Sequence, residues 1–365
     1  MTTSLPHHPS PVCERLGLRV PIVQGPFGGG LSSVALVAAV CEAGGLGSFG
    51  VHHLGAEAIL ATAGAIRQAT SAPFALNLWI PRPGERPVRI DPQLWQRAVS
   101  VLAPAFDQLG LAIPDLPEPA DAERLWPRYE DQIDAVLEAR PAVFSFVFGV
   151  PSAEVLARCR QAGITTLGAA TTPDEARHLE AAGVDMVVAT GCEAGGHRVA
   201  FLAPPEDHLI GTLSLVPQVR DAVRIPVIAA GGIADARGVA AAMALGADAV
   251  QIGTAFLACT ESNAGDAHRE ALFSPLAART ALTRGFSGRL SRGLRNEMLE
   301  CLQAHPADIL PYPVQNWLTG QIKREALRQH RPELMSLWAG QSAPLLRHHD
   351  VAALMAALTH AFPSA

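Results

Sequence analysis

Eight short apolar runs, separated by helix-like segments, constrain this chain more than any other feature. They are PIVQG (21–25), LGSFG (46–50), FALNLWI (74–80), AVFSFVFG (142–149), TTLGAA (165–170), MVVAT (186–190), PVIAAGG (226–232) and AVQIGT (249–254). Their apolarity is continuous instead of alternating, which marks strands covered on both faces, as in parallel sheets. Between them lie segments such as SSVALVAAVCEAGG, TPDEARHLEAAG and ADARGVAAAMALG. These open at Ser, Thr or Asp and close at or near glycine, the punctuation of helices. Eight strands in βα alternation predict an α/β chain folded as a TIM (β/α)8 barrel. A doubly wound open sheet is the rival arrangement.

Two regions break the period. Residues 81–140 interrupt the third unit with a proline-rich stretch, PRPGERPVRIDP, and two amphipathic helical segments. Residues 266–365 run past the eighth strand with no evident strand repeat. The expected organisation is a barrel over 1–265 carrying a helical insertion at 81–140, and a helical extension over 266–365 that caps the active-site mouth. A chain of 365 residues is long enough for one barrel with such additions.

The bulk chemistry excludes several classes. A net charge of −6 provides no attraction to nucleic acid or to an anionic membrane. The longest apolar region, GVAAAMALGADAVQIGTAFLAC, is broken by Asp248, Gln251 and glycines, so no membrane span is expected. The amino terminus has no basic start followed by an apolar block, and a cytoplasmic protein is expected. Its six cysteines stand singly with no ligand spacing, which predicts reduced thiols and no metal site. Nothing in the sequence sets the oligomeric state.

In barrels of this kind the chemistry sits at the carboxyl ends of the strands, and that rule sorts the polar residues. GCEAGGHRV (191–199) directly follows the sixth run, so Glu193 and His197 belong to the active mouth. Its glycines would let the loop approach a ligand and turn the imidazole inward, with Glu193 orienting the loop or the ring. After the seventh and eighth runs, Gly231, Gly232, Gly253 and Thr254 offer unhindered N–H groups near helix amino termini, a cradle for a phosphate dianion. Asn77 and Gln251 are amides inside apolar strands. Each must meet a hydrogen-bonding ligand, such as a flat amide-rich flavin ring, or a second buried polar group. Gly25, Pro26 and Phe27 stand at the mouth of the first strand, where Phe27 could pack near such a ring. The tandem His52–His53 is expected in a solvated loop, since neighbours on an extended segment point opposite ways. Cys192 has no evident activating neighbour and reads as packing.

A resemblance adds to this reading. The segments PIVQGPFGGGLSSVALVAAVCEAGGLGSFG, NLW, GCEAGGHR, PVIAAGGIADARGVAAAMALGADAVQIGTAF and FSGRLSR resemble the nitronate monooxygenases, formerly 2-nitropropane dioxygenases, in order and spacing over nearly the whole chain. PYPVQNWLTGQIK and LWAGQ are similar to the class I branch. The resemblance implies a TIM barrel holding FMN noncovalently, with O2 and a nitronate or nitroalkane as small-molecule substrates and a carbonyl compound and nitrite as products. It implies that His197 is the base that removes an α-proton or assists a preformed nitronate. It places flavin contacts at Asn77, Gly195, Gly232, Gln251, Ile252, Gly253 and Thr254 and along Gly25–Phe27, with Tyr312 and Phe27 lining the substrate pocket. Three positions depart from the family pattern: Thr190 stands where Gln is usual, Val199 where Gly is usual, and Phe27 where Met is usual. The first two alter the pocket wall beside the flavin. The rival readings are an FMN-dependent enoyl-acyl-carrier-protein reductase, whose barrel carries similar EAGGH and AAGGI segments, a non-catalytic flavin-binding protein, and a phosphosugar barrel without flavin.

Overall fold

The apolar runs form eight parallel strands, and a computed structural model describes residues 10–82, 85, 90–118 and 125–362 of the chain. In chain order the barrel strands are β1 (Ile22–Gln24), β2 (Gly47–Gly50), β3 (Phe74–Trp79), β4 (Val143–Val147), β5 (Thr165–Ala170) and β6 (Met186–Thr190). After a two-residue strand β7 (Gly196–His197) come β8 (Val227–Ala230) and β9 (Ala249–Ile252). The sheet runs β1-β9-β8-β6-β5-β4-β3-β2. It closes where Val23 bridges Leu46. There Gln24 N donates to Leu46 O, and Gln24 Oε1 accepts from Ser48 N at 2.9 Å. The open-sheet alternative is thereby excluded.

Period-two alternation decides what enters the barrel. Val23, Ala75, Val143, Leu167, Val188, Ile228 and Ala249 form an inner core, while the intervening residues pack outward against the helices. A short helix, Pro11–Leu16, adds Val12, Cys13 and Leu16 to that inner core. The same parity carries Asn77, Trp79, Thr190 and Gln251 inward at the opposite, carboxyl end. Barrel geometry therefore collects these polar and aromatic side chains at one mouth.

The two irregular regions meet there. Helix Pro92–Gln108 lies against Glu297–Ala304, and Tyr129–Ala139 packs on Ala56–Ala69 as the third barrel helix. Six residues of the proline-rich stretch, 83–84 and 86–89, lie outside the described residues. The expectation of a tail without strands is corrected. β10 (Thr280–Thr283) and β11 (Ser291–Leu294) form an antiparallel pair, and β11 also pairs with β7. Four-residue strands such as SRGL carry no apolar rhythm that a sequence pattern can register. Among the described residues, no helix is long and apolar enough to cross a membrane, and no cluster of side chains is set to hold a metal ion.

Candidate active site

A cavity of about 600 Å³ opens at the carboxyl ends of the strands, within the range of small-molecule sites. Gly25, Pro26, Phe27, Gly231, Gly232, Gly253 and Thr254 line it, with Gly25 packed against Gly253. Asn77, Thr190, Gly195, His197, Val199 and Gln251 also reach it. Two expected residues lie differently. Ile252 is fully buried, contributing its carbonyl to Gly25 N at 2.8 Å instead of a cavity surface. Tyr312 lines a smaller adjoining cavity of about 40 Å³, which shares Trp79 and Trp126 with the large one.

The glycine side is built from backbone. Gly231 and Gly232 adopt φ of 99° and 72°, values that side chains resist. Among the described residues, the N–H groups of Gly232, Gly253 and Thr254 donate to no acceptor in the chain. A Cβ at Gly253 would meet only Phe27 Cε1 at 3.9 Å. The Thr254 hydroxyl accepts from Gly340 N at 2.9 Å, which leaves its proton free to donate. Such a set of unspent donors without bulk fits an oxyanion group such as phosphate. Asn77 resolves otherwise. Its Nδ2 donates to Ser145 Oγ at 3.0 Å, because β3 and β4 register Asn77 against Ser145. The second buried polar group is a serine that nothing in the sequence connects to position 77.

The histidine loop explains the whole GCEAGGHR motif. Glu193 accepts from Thr212 N and Oγ1 at 2.9 Å, so it ties the loop to the helix Thr212–Ala222 and makes no bond to His197. Arg198 is buried, and its Nη1 donates to Thr190 O at 3.1 Å and Gly191 O at 2.7 Å, closing the loop onto the end of β6. A Cβ at Gly191 would fall 2.0 Å from Thr212 Oγ1, and one at Gly195 would fall 2.6 Å from Gly340 N. Both glycines admit neighbouring protein, and Gly195 also lines the cavity. His197 is then presented on β7 opposite Ser291 of β11.

Around His197 the tail supplies a second wall. Ser287 Oγ lies 2.7 Å from His197 Nε2 and donates to Arg289 O at 3.2 Å. The serine hydroxyl can donate to either group, and the contact holds the imidazole through Nε2 in either tautomer. Trp79 packs edge-on to the imidazole at 4.9 Å, and Trp338 lies at 5.5 Å. Arg289 is clamped by Glu85 through contacts of 2.9 and 2.5 Å and lies 4.0 Å from both the Phe148 and Tyr312 rings. Phe148 holds φ at 72°, a strained value for a side chain of that size.

Electrostatics follow from this crowding. Burial, then the charges of Arg289, Lys323 and Arg82, push the His197 imidazolium down to about 3. The ring is neutral at physiological pH. Burial and Arg324 bring Lys323 down to about 8, and its Nζ bonds Asn316 Oδ1 at 3.1 Å. Lys323 and Arg324 line the large cavity, whereas no carboxylate does so among the described residues. The site favours an anion.

His52 overturns the expectation of a solvated loop. It is buried, stacked on Trp79 at 3.9 Å with planes 6° apart, and its backbone carbonyl accepts from Gln132 Nε2 at 2.9 Å. The segment after β2 turns instead of extending, which removes the premise of that expectation. Cys192 is half-buried with its thiol pushed up, first by burial and then by Glu193, in keeping with an unreactive packing role. Ser287, Arg289 and Lys323 lay inside recognisable segments, yet no local pattern assigned them to the site.

The chain is similar to known proteins over nearly its whole length. The sequence pattern of the family "Nitronate monooxygenase" matches residues 10–361. A nitronate monooxygenase of Pseudomonas aeruginosa is 43% identical over 347 residues, covering 94% of this chain and 96% of that protein. Among solved structures, nitroalkane oxidase from Streptomyces ansochromogenes superposes with a TM-score of 0.84 at 39% identity, covering 96% of this chain and 98% of that one. FabK from Thermotoga maritima does so at 0.74 and 27%, covering 97% and 96%.

Proposed function

The chain belongs to the nitronate monooxygenase family, whose members are oxidoreductases, and from that premise we propose that it holds FMN and oxidises alkyl nitronates with O2 to a carbonyl compound and nitrite. The observation that carries this reading is a neutral imidazole and a half-buried ammonium lining the same cavity as a cradle of unspent backbone donors. Gly232, Gly253 and Thr254 would hold the FMN phosphate. Gln251, Asn77, Thr190 and the Gly25–Phe27 loop would border the ring system. When bound, FMN supplies the electron-transfer and oxygen chemistry that amino-acid side chains lack.

The residues of the chain then do the rest. Lys323 and Arg324 draw the nitronate anion into a cavity where apolar walls strengthen the attraction. Ser287 orients His197 by holding its Nε2 at 2.7 Å. An imidazole whose conjugate acid lies near 3 is a weak base, and Brønsted behaviour penalises proton abstraction by such a group. The site therefore suits preformed nitronates better than neutral nitroalkanes. Trp79, Phe148 and Trp338 shield the reacting end from water.

Nitrite release from ethyl nitronate and from nitroethane tests this reading, with the His197→Asn variant alongside. We expect His197→Asn to slow nitroethane by about 10²-fold or more and ethyl nitronate by less than about tenfold. Equal losses on both would remove the base role. The similarity to FabK makes one further measurement useful. Rapid anaerobic bleaching of the bound flavin by NADPH, with no nitrite from any nitronate, would favour the reductase reading.

A further inference from the structure

The chain has five tryptophans, and four of them, Trp79, Trp126, Trp317 and Trp338, line the same cavity. Phe27 and Phe148 join them. Aromatic residues make up only 5% of the sequence, so this concentration is local. Three rings lie in near-parallel planes. Trp79 and His52 are 3.9 Å apart and tilted by 6°, and His52 and Trp126 are 5.8 Å apart and tilted by 22°. The His52 ring is held in place from below. A Cβ at Gly28 would fall 2.6 Å from its Cε1, and Gln132 Nε2 fixes the loop through His52 O and Leu54 O. At one end of this surface Trp79 touches His197 edge-on. At the other, Trp126 meets Tyr312 at 5.7 Å and 69°.

Trp79 and Trp126 are only half-buried, and even beside a bound flavin a two- or three-carbon substrate would leave their open parts in contact with water, where aromatic area is costly. Rings instead recruit rings, through offset and edge-to-face contacts that add to plain burial. The same cavity carries Lys323 and Arg324 and, among the described residues, no carboxylate. A ligand that matches both features is flat and apolar at one end and anionic at the other.

We propose that this enzyme is selective for aryl-substituted nitronates, with the aryl group against the open parts of Trp79 and Trp126, which the buried His52 ring backs, and the nitronate group toward His197 and Lys323. This rests on the nitronate-oxidising reading above and adds the substrate class. Trp126 is the specificity-determining residue, because it extends the ring surface away from His197 without touching it.

The test compares preformed ethyl, hexyl and phenylmethyl nitronates by nitrite release from the flavin-loaded enzyme. The aryl nitronate should exceed ethyl nitronate in kcat/KM by at least about tenfold and hexyl by about threefold, mainly through KM. Trp126→Leu should bring the aryl and hexyl values together, while Trp126→Phe keeps them apart. Hexyl equal to or better than phenylmethyl would overturn the proposal, since the surface would then respond to bulk alone. A second measurement separates this from the functional reading: quenching of tryptophan fluorescence by phenylacetate and by hexanoate. If no nitronate yields nitrite, the oxidase reading falls and this binding series decides. Phenylacetate binding about threefold or more tighter than hexanoate supports the ring surface, and equal affinities overturn it. Where Trp126→Leu does not fold, the series on the unaltered enzyme decides.

Discussion

The two sides of the cavity are made of different material. The side formed by Gly232, Gly253 and Thr254 presents backbone N–H groups from two short loops after β8 and β9. The facing side presents side chains, His197, Trp79 and Lys323, backed by Ser287 and Arg289 and drawn from segments more than 200 residues apart. A backbone surface has no protonation state and fails mainly by being filled. A side-chain surface depends on charge and on long-range partners, so it fails when one of them is removed.

The sharpest way to separate the two is to break the ion pair behind the side-chain wall. Arg289 and Glu85 join the tail to the insertion at 2.9 and 2.5 Å, with Arg289 almost wholly buried. Arg289→Met leaves a partly buried carboxylate without its partner, which should cost about 3 kcal/mol of unfolding free energy. Adding Glu85→Gln should recover a good part of that, since the unpaired charge is then gone. Chemical denaturation of the three variants checks this. If Arg289→Met alone is neutral, the wall does not depend on the pair.

The backbone side should fail in the opposite manner. A Cβ at Gly253 has open space apart from Phe27 at 3.9 Å, and the backbone there, φ −101° and ψ −79°, sits at the edge of the helical region and needs no left-handed φ. Gly253→Val should therefore fold with a Tm close to the parent. Its branched side chain would occupy the cradle, and FMN affinity should fall by about a hundredfold, some 2.7 kcal/mol. Flavin retention on desalting, set beside the melting curve of the apoprotein, measures both halves. A variant that keeps its flavin would remove the cradle from the cofactor site.

The same contrast accounts for what could be read in advance. Local, periodic features were legible: eight runs became eight strands, and their parity sent Asn77 and Gln251 inward. The glycine loops were legible because short-range geometry determines them. The other wall was not. Ser145 meets Asn77 only through the register of β3 with β4. Ser287 meets His197 only because β11, invisible as a pattern, pairs with β7. His52 was misjudged because its neighbour His53 suggested an extended loop, whereas Gln132, about 80 residues on, folds the segment back. Contacts between distant segments leave no spacing to read.

Protonation distinguishes the walls most finely. His197 and Lys323 face the proposed nitronate path and predict different pH limbs, while His52, His53 and His268 line the same cavity with imidazoles also pushed down by burial. His197, pushed down to about 3, is already neutral from pH 5 upward and adds no limb there. Lys323, lowered to about 8 by burial and Arg324, carries its charge below that value and loses it above. A preformed nitronate stays anionic throughout, so its capture should weaken as the ammonium deprotonates. We expect kcat/KM for a nitronate to be level from pH 6 to 7.5 and then to fall by about tenfold toward pH 10, the worth of one partly buried charge contact. Because kcat/KM reports the free enzyme and a bound anion favours the charged lysine, the limb in kcat should lie at higher pH. Lys323→Met should start lower and remain flat. A limb between pH 6 and 7 that survives in Lys323→Met would assign the titration to an imidazole of the cavity, His197 first, and would mean that burial depresses it far less than a value of about 3 implies.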